Sequence, residues 1–226
     1  MGQKVNPNGF RIGIFKSWPS TWFAEGKAFR DNLLQDVLVK RHIKAKLKEA
    51  GISEILIERG KKTMVTIKSS KPGIIIGKQG AAIEDIRKEL DKKFGGTSFQ
   101  VEVQEVRNPD ADAAVIAENV QMQIERRMPY RRAAKQSIEK AMASGALGVK
   151  ISLAGRLNGA EIARSDTFKE GNIPLQTLRA DIQFARRHAL TKYGTIGIQV
   201  HVFKGMIFKN AQQMQSNTLT SPQKQQ

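Results

Sequence analysis

The residues of this chain with the clearest chemical meaning are glycines and cations. Gly77, Lys78, Gln79 and Gly80 form a GKQG tetrapeptide inside the run KPGIIIGKQG. Two glycines without Cβ let a main chain approach a phosphate closely. The amide groups at the start of a following helix point outward, and Lys78 adds positive charge. Alone, a GxxG tetrapeptide is more often an ordinary connector between two helices. A second set is Arg126, Arg127, Arg131, Arg132 and Lys135. Arg131, Arg132 and Lys135 stand at i, i+1 and i+4 of an expected helix and so share one of its faces. On spacing alone, that face is as readily a solvated one. Both sets suit the non-covalent holding of phosphates. Residues for other chemistry are absent or scattered. The chain has no Cys, which removes disulfides, thiolate nucleophiles and Cys-containing zinc sites and suits a reducing compartment. His42, His188 and His201 show no metal-ligand spacing. No GxxxxGK[ST] phosphate loop is present, and nothing singles out a lysine amine of lowered pKa. No metal or cofactor is expected.

The overall charge points the same way. Lys and Arg total 38 against 21 Asp and Glu in 226 residues, a net charge of +17 with a pI of about 10.2. Such an excess speaks of partners rather than fold, and the usual partner is a polyanion. Three stretches are acid-poor: Lys40, Arg41, Lys44, Lys46 and Lys48 share one without an acid, residues 126–156 hold eight bases and one acid, and no acid follows Asp181. Hydrophobic residues are 40% of the chain, enough for real cores and too many for wholesale disorder. No apolar run approaches the ~20 residues of a membrane span. The opening MGQKVNPNGF has no signal-peptide core, and its sixth residue is Asn where a myristoylation motif needs Ser or Thr. The expectation is a soluble, cytoplasmic protein.

Hydrophobic periodicity supplies the elements that must position these residues. Residues 1–27 carry bases at Lys4, Arg11 and Lys16 and no clear period, and read as an extended arm whose aromatics dock somewhere. Residues 28–50 repeat apolar positions at helical spacing (Phe29, Leu33, Val37, then Val39, Ile43, Leu47), with Gly51 as C-terminal cap. A hairpin follows, 52–59 and 64–69, turning at Gly60 and Lys61. Pro72 opens a short helix through residues 74–76. A second helix spans 81–94 with Ile83, Ile86 and Leu90 inward and ends at Gly95 and Gly96, and 99–106 is a strand. Asn108-Pro109 marks a boundary. Asp110 is placed to cap a helix bearing Ile116, Val120, Ile124 and Met128; Pro129 interrupts it, and a helix over 130–143 buries Ala134, Ile138, Ala141 and Met142. Four strands follow at 149–153, 162–168, 177–184 and 195–203, the last alternating Ile196, Ile198, Val200 and Val202. The fold class is therefore α+β: an arm (1–27), a unit with a three-stranded sheet and helices on one face (28–107), a two-helix unit with an antiparallel four-stranded sheet (108–208), and a disordered Gln-rich tail (209–226).

The order helix, strand, strand, short helix, GxxG, helix, strand resembles a type II KH domain, whose loop clamps backbone nucleotides. The opening MGQKVNPNGFRIGI, the loop IIIGKQG, the run RRMPYRRAAK and the stretch GRLNGAEIARSDTFKEGNIPLQTLRADI resemble the bacterial S-three family of small-subunit ribosomal proteins, over roughly residues 1–208. This resemblance implies a non-catalytic constituent of the small subunit, in its head. It implies that Gln3, Lys4, Asn6, Pro7 and Arg11 run along 16S rRNA, with Arg156 and Arg164 as further rRNA contacts. Arg131, Arg132 and Lys135 would line the mRNA entry channel and support unwinding of mRNA, assisted by Arg126 and Arg127. Neighbours would be proteins S-ten and S-fourteen, with S-four and S-five around mRNA entry. Unwinding would be passive, arginines gripping single strands while translocation does the work. One position and one segment depart from the family pattern: Pro129 within the basic run, and residues 184–192 (FARRHALTK), more basic than usual.

Other readings compete with this one. A free-standing KH regulator or RNA chaperone leaves the arm and the second unit unexplained. An enzyme acting on damaged DNA through a Lys Schiff base, as some relatives do, needs an activated lysine. A membrane-surface protein does not account for basic stretches tied to RNA-binding motifs.

Overall fold

The computed structural model describes residues 3–60, 62–94 and 98–208. Lys61, the glycines 95 and 96 expected to stop a helix, and the tail expected at 209–226 lie outside them.

The chain opens with a short helix α1 (Pro7–Phe10) and a two-residue strand β1 (Ser20–Thr21). There follow α2 (Gly26–Lys46), β2 (Ile52–Arg59), β3 (Thr63–Ser69), α3 (Pro72–Ile76), α4 (Ala81–Lys93) and β4 (Phe99–Glu105). The sheet order is β1-β2-β3-β4, with β2 and β3 antiparallel and both outer pairs parallel. Register aligns Ile55 with Ile67, and Ile57 with Val65, which continues to Val101, in apolar rows on one face. Val39 and Ile43 of α2, Ile75 of α3, and Ile86 and Leu90 of α4 close over that face and form the first core. Ile52 and Ile55 are three apart yet both buried, because a bulge between Ile52 and Glu54 resets the alternation.

Three expectations change here. The sheet has four strands rather than three, since the arm contributes β1. The helix α2 closes on Leu47, four residues before Gly51. Its apolar stripe does not run its full length: Phe29, Leu33 and Val37 are exposed, and the inward position before Val39 is taken by Asp36. That buried carboxylate accepts from Trp22 Nε1 at 2.8 Å and Arg59 Nε at 2.9 Å, so the site is polar but satisfied.

The second unit contains α5 (Ala113–Glu125), α6 (Tyr130–Ala143), β5 (Gly148–Gly155), β6 (Arg164–Gly171), β7 (Ala180–Thr191) and β8 (Gly194–Met206). Its sheet is antiparallel throughout, in the order β6-β5-β8-β7. Val149, Ile151 and Leu153 pair with Val202, Val200 and Ile198, and both helices pack on this face. Asp112, rather than Asp110, caps α5: its Oδ1 accepts from the Ala114 and Val115 amides at 2.9 and 3.3 Å. Asp110 falls one short turn earlier, in a 3-10 helix. The other Asp112 oxygen accepts from Ser53 Oγ of β2 at 2.6 Å and ties the two units together. Met142 is only half-buried, Ile162 lies outside β6 and is exposed, and β7 begins at Ala180 and runs seven residues beyond Phe184. Within that extension Ala185, Arg187 and Ala189 share the helix-facing side, where Arg187 meets Glu118 of α5 at 3.7 Å. The basic residues conceal an ordinary strand.

The arm is not free. The β7 strand is an edge, and side chains of the arm cap its open carbonyls. Arg11 Nε donates to Ala180 O at 2.7 Å, Lys16 Nζ to Ile182 O at 2.7 Å and Asn8 Nδ2 to Phe184 O at 3.0 Å. These are alternate residues of one strand. The arm therefore covers a sheet edge with donors, a protection that edges need, and then joins the other sheet through β1.

Candidate nucleic-acid interface

The GKQG loop sits between α3 and α4 as the sequence implies. Ile75 anchors its entry in the core, while Lys78 and Gln79 project to the surface. Gly77 has φ +69°, and a Cβ there would lie 2.6 Å from that of Ala82, so the close approach of loop and helix requires glycine. Gln79 and Gly80 are both left-handed, at φ 52° and 81°. No side chain caps the start of α4. The Ala81 amide at its start donates to Lys78 O, and the exposed Lys78 side chain sets a positive charge beside the helix start, where anions are favoured. Exposed Ile74 and Ile76 offer apolar surface next to it.

The basic set lies at the corner between α5 and α6. Arg126 ends α5, Arg127 turns the chain with a left-handed φ of 66°, and Pro129 precedes α6. Arg131, Arg132 and Lys135 all project to the surface from α6, whose opposite side buries Ala133, Ala134, Ser137 and Ile138. Arg131 is the most firmly aimed. Its guanidinium lies 5.7 Å from the Tyr130 ring centroid, and its Nε donates to the Tyr130 hydroxyl at 3.1 Å. That hydroxyl also accepts from Arg164 Nη2 at 3.2 Å and donates to Asp166 Oδ2 at 2.6 Å. The bond to Tyr130 holds the Arg131 pKa above its ordinary value. Arg131 and Arg164, far apart in sequence, therefore converge on one phenol. Tyr130 and Asp166 are partners of the basic set that sequence reasoning missed. The signal for Tyr130 was an aromatic set among bases; Asp166 carried none.

The remaining site residues divide. Gln3 and Lys4 are exposed, and Arg156 is held by Ala160 O at 2.9 Å and by the Tyr193 ring. Asn6 caps α1 by accepting from the Asn8 amide at 2.9 Å, and Pro7 is buried. Arg11, expected along 16S rRNA, is turned into the protein. It is 0% exposed, and its three nitrogens donate to the carbonyls of Pro7, Leu175, Thr177 and Ala180. Burial pulls its pKa down and nearby Asp181 raises it in part. The acid-poor stretch in α2 is likewise partly committed: Lys40 reaches Ser20 Oγ at 2.9 Å and Lys46 pairs with Glu89 at 2.7 Å. Among the described residues no group of His, Cys, Asp and Glu is arranged to hold a metal, and no helix is long and apolar enough to cross a membrane.

Comparison with known proteins converges on one family. Residues 38–111 match the KH domain family, and residues 120–202 match the family described as ribosomal protein S3, C-terminal domain. The chain is 50% identical over 206 residues to the small ribosomal subunit protein uS3 of Caldicellulosiruptor saccharolyticus, covering 91% of this chain and 93% of that one. It is 50% identical over 208 residues to uS3 of Thermodesulfovibrio yellowstonii, covering 92% and 95%. It is 48% identical over 223 residues to uS3 of Xanthomonas euvesicatoria pv. vesicatoria, covering 98% and 91%. With one KH fold, one S3-type carboxy-terminal fold and near-complete coverage of such relatives, the chain belongs to the uS3 family of small ribosomal subunit proteins.

Proposed function

We propose that this chain, a structural constituent of the small ribosomal subunit and not an enzyme, binds 16S rRNA in the head of that subunit and lines the path by which mRNA enters. The observation that carries the reading is the α5–α6 corner. Arg126, Arg127, Arg131, Arg132 and Lys135 are all exposed, and none joins an ion pair among the described residues. Unneutralised cations on a rigid corner lower the free energy of a passing phosphate chain, and release of its counterions adds to affinity. Arginine forks grip phosphate oxygens in pairs, so a strand is held in register without recognition of its bases. The chain forms and breaks no covalent bonds; translocation supplies the work, and the corner keeps separated strands from closing again. The GKQG loop offers a second phosphate cradle, and Gln3, Lys4, Asn6 and Pro7 of the arm, with Arg156 and Arg164, are further rRNA contacts. Partners are 16S rRNA, mRNA and neighbouring proteins, S-ten and S-fourteen in the head and S-four and S-five around mRNA entry.

Small subunits carrying Arg131→Ala, Arg132→Ala and Lys135→Ala together test the reading. They should assemble normally, translate unstructured messages at the usual rate, and slow severalfold on messages with a stable hairpin. Equal slowing on both messages, or none on either, overturns it.

A further inference from the structure

Three turns of the second unit meet beside the basic corner and enclose a cavity of about 400 Å³. Buried Ile124 and Ile196 give it an apolar floor, and Met128 and Pro129 add apolar wall. Each turn adds one cation to its wall: Arg127 from the corner, Arg156 from the turn after β5, and Lys192 from the tip of the β7–β8 hairpin. No carboxylate lines it. The larger groove between the arm and the first sheet, about 950 Å³, has Glu54, Glu58 and Asp112 in its wall and lacks this character. Apolar floor and cationic rim together describe a ligand with a flat apolar body and negative flanks. A bare phosphate would have no use for the floor, and an apolar ligand none for the rim.

The wall contains a stacking platform. Tyr193 is 60% exposed and belongs to no core cluster. The Arg156 guanidinium lies over its ring, 5.6 Å from the centroid. Arg156 is fixed there by Nε donating to Ala160 O at 2.9 Å and Nη1 to Tyr193 O at 3.3 Å. Gly159, at φ +77°, lets the turn close on the ring; a Cβ there would stand 2.9 Å from two ring atoms. Arg127 is held left-handed at φ 66°, a conformation that persists for an arginine only where its surroundings impose it. Aromatic rings and arginine planes are the surfaces on which unpaired bases stack.

We propose that this cavity takes an unpaired nucleobase of single-stranded RNA, stacked on the Tyr193–Arg156 pair, with its flanking phosphates on Arg127 and Lys192. The proposal rests on the reading of the corner as an RNA contact and adds base capture to a site otherwise read as phosphate binding alone. A strand passing Arg126 and Arg127 needs only to turn one base inward to fill it.

The test measures binding of the full-length protein to an unstructured adenine-rich RNA oligomer and to the same oligomer made abasic. Unaltered protein should prefer the intact strand, and Tyr193→Ala should bind that strand roughly 5- to 100-fold more weakly. The loss should vanish on the abasic strand, Tyr193→Phe should keep full affinity, and the dependence on salt should be the same throughout, because stacking releases no counterions. Unaltered protein with no preference for the intact strand overturns the proposal, and so does an equal loss by Tyr193→Ala on both strands. AMP displacing the oligomer at comparable concentration also overturns it, by assigning the cavity to a free nucleotide. Unaltered protein that bound neither strand at low salt would instead refute the wider RNA reading, a result distinct from the others.

Discussion

Arg11 and Arg131 look alike locally: each guanidinium lies 5.7 Å from the ring of the aromatic residue just before it, Phe10 and Tyr130. Arg11 is completely buried and donates only to protein carbonyls, closing the arm onto the β7 edge. Arg131 is exposed, touches the protein through one phenol, and leaves the rest of its fork facing outward. The same side chain in the same local setting is a structural clamp in one region and a free cation in the other. Net charge therefore overstates the surface available to RNA. What distinguishes the two is whether backbone acceptors from a distant segment surround the guanidinium. The contrast is testable, because clamps act on stability and free cations act on salt-dependent binding.

The largest effect belongs to the clamp. Arg11→Met fills much of the same volume but leaves the carbonyls of Pro7, Leu175 and Ala180 without a donor, while Thr177 O keeps the Ala180 amide at 3.2 Å; the cost is about 1–3 kcal/mol for each buried acceptor that stays unsatisfied. A loss of at least about 3 kcal/mol in unfolding free energy is expected, read as a lower urea midpoint. RNA binding of the molecules that remain folded should keep its salt slope. A midpoint close to that of the unaltered chain would erase the contrast between the two arginines.

A third base is kept uncharged. His201 is 8% exposed and its ring centroid is 4.8 Å from that of Phe184. Burial above all, then the charges of Lys150 and Lys4, bring its pKa from 6.5 to about 4. Above pH 6.5 the ring is neutral in both folded and unfolded chains and contributes nothing to the pH dependence. As pH falls below 6.5 the unfolded chain takes up a proton that the folded chain refuses until about pH 4, so stability declines across that window. At ~1.4 kcal/mol per pH unit the total is about 3 kcal/mol. His201→Phe should remove this component. Denaturation of the two proteins at pH 7 and pH 4.5 should differ by their change with pH, and parallel curves would refute the neutral buried histidine.

Much of this architecture is legible in the sequence because periodicity is local. Ile196, Ile198, Val200 and Val202 declare β8 on their own, and the spacing of Arg131, Arg132 and Lys135 against Ala134, Ile138 and Ala141 declares both faces of α6. The failures are non-local. Asp112, which caps α5 in place of Asp110, is also held by Ser53, 59 residues away. The extension of β7 through Arg186, Arg187 and His188 depends on pairing with β8. The burial of Arg11 depends on carbonyls 164 to 169 residues away, and the aim of Arg131 on Asp166, which reaches it only through Tyr130. Side-chain type marks a residue as capable of binding RNA; the rest of the fold decides whether it is free to do so.

The smallest effect on stability is expected at the corner, and it is the sharpest form of the contrast. Arg132 and Lys135 are exposed and make no side-chain hydrogen bond or ion pair among the described residues. Their replacement by alanine should change unfolding free energy by less than about 0.5 kcal/mol, as for ordinary surface positions. Each cation that neutralises a phosphate of single-stranded RNA releases its counterion, so each substitution should lower the slope of log affinity against log salt by about 0.7. Arg11→Met should do the reverse, moving stability and leaving the slope in place. If Arg132→Ala and Lys135→Ala leave the slope untouched, their exposure marks only a solvated helix face. The distinction drawn from Arg11 and Arg131 would then separate buried from exposed arginines without separating structure from binding.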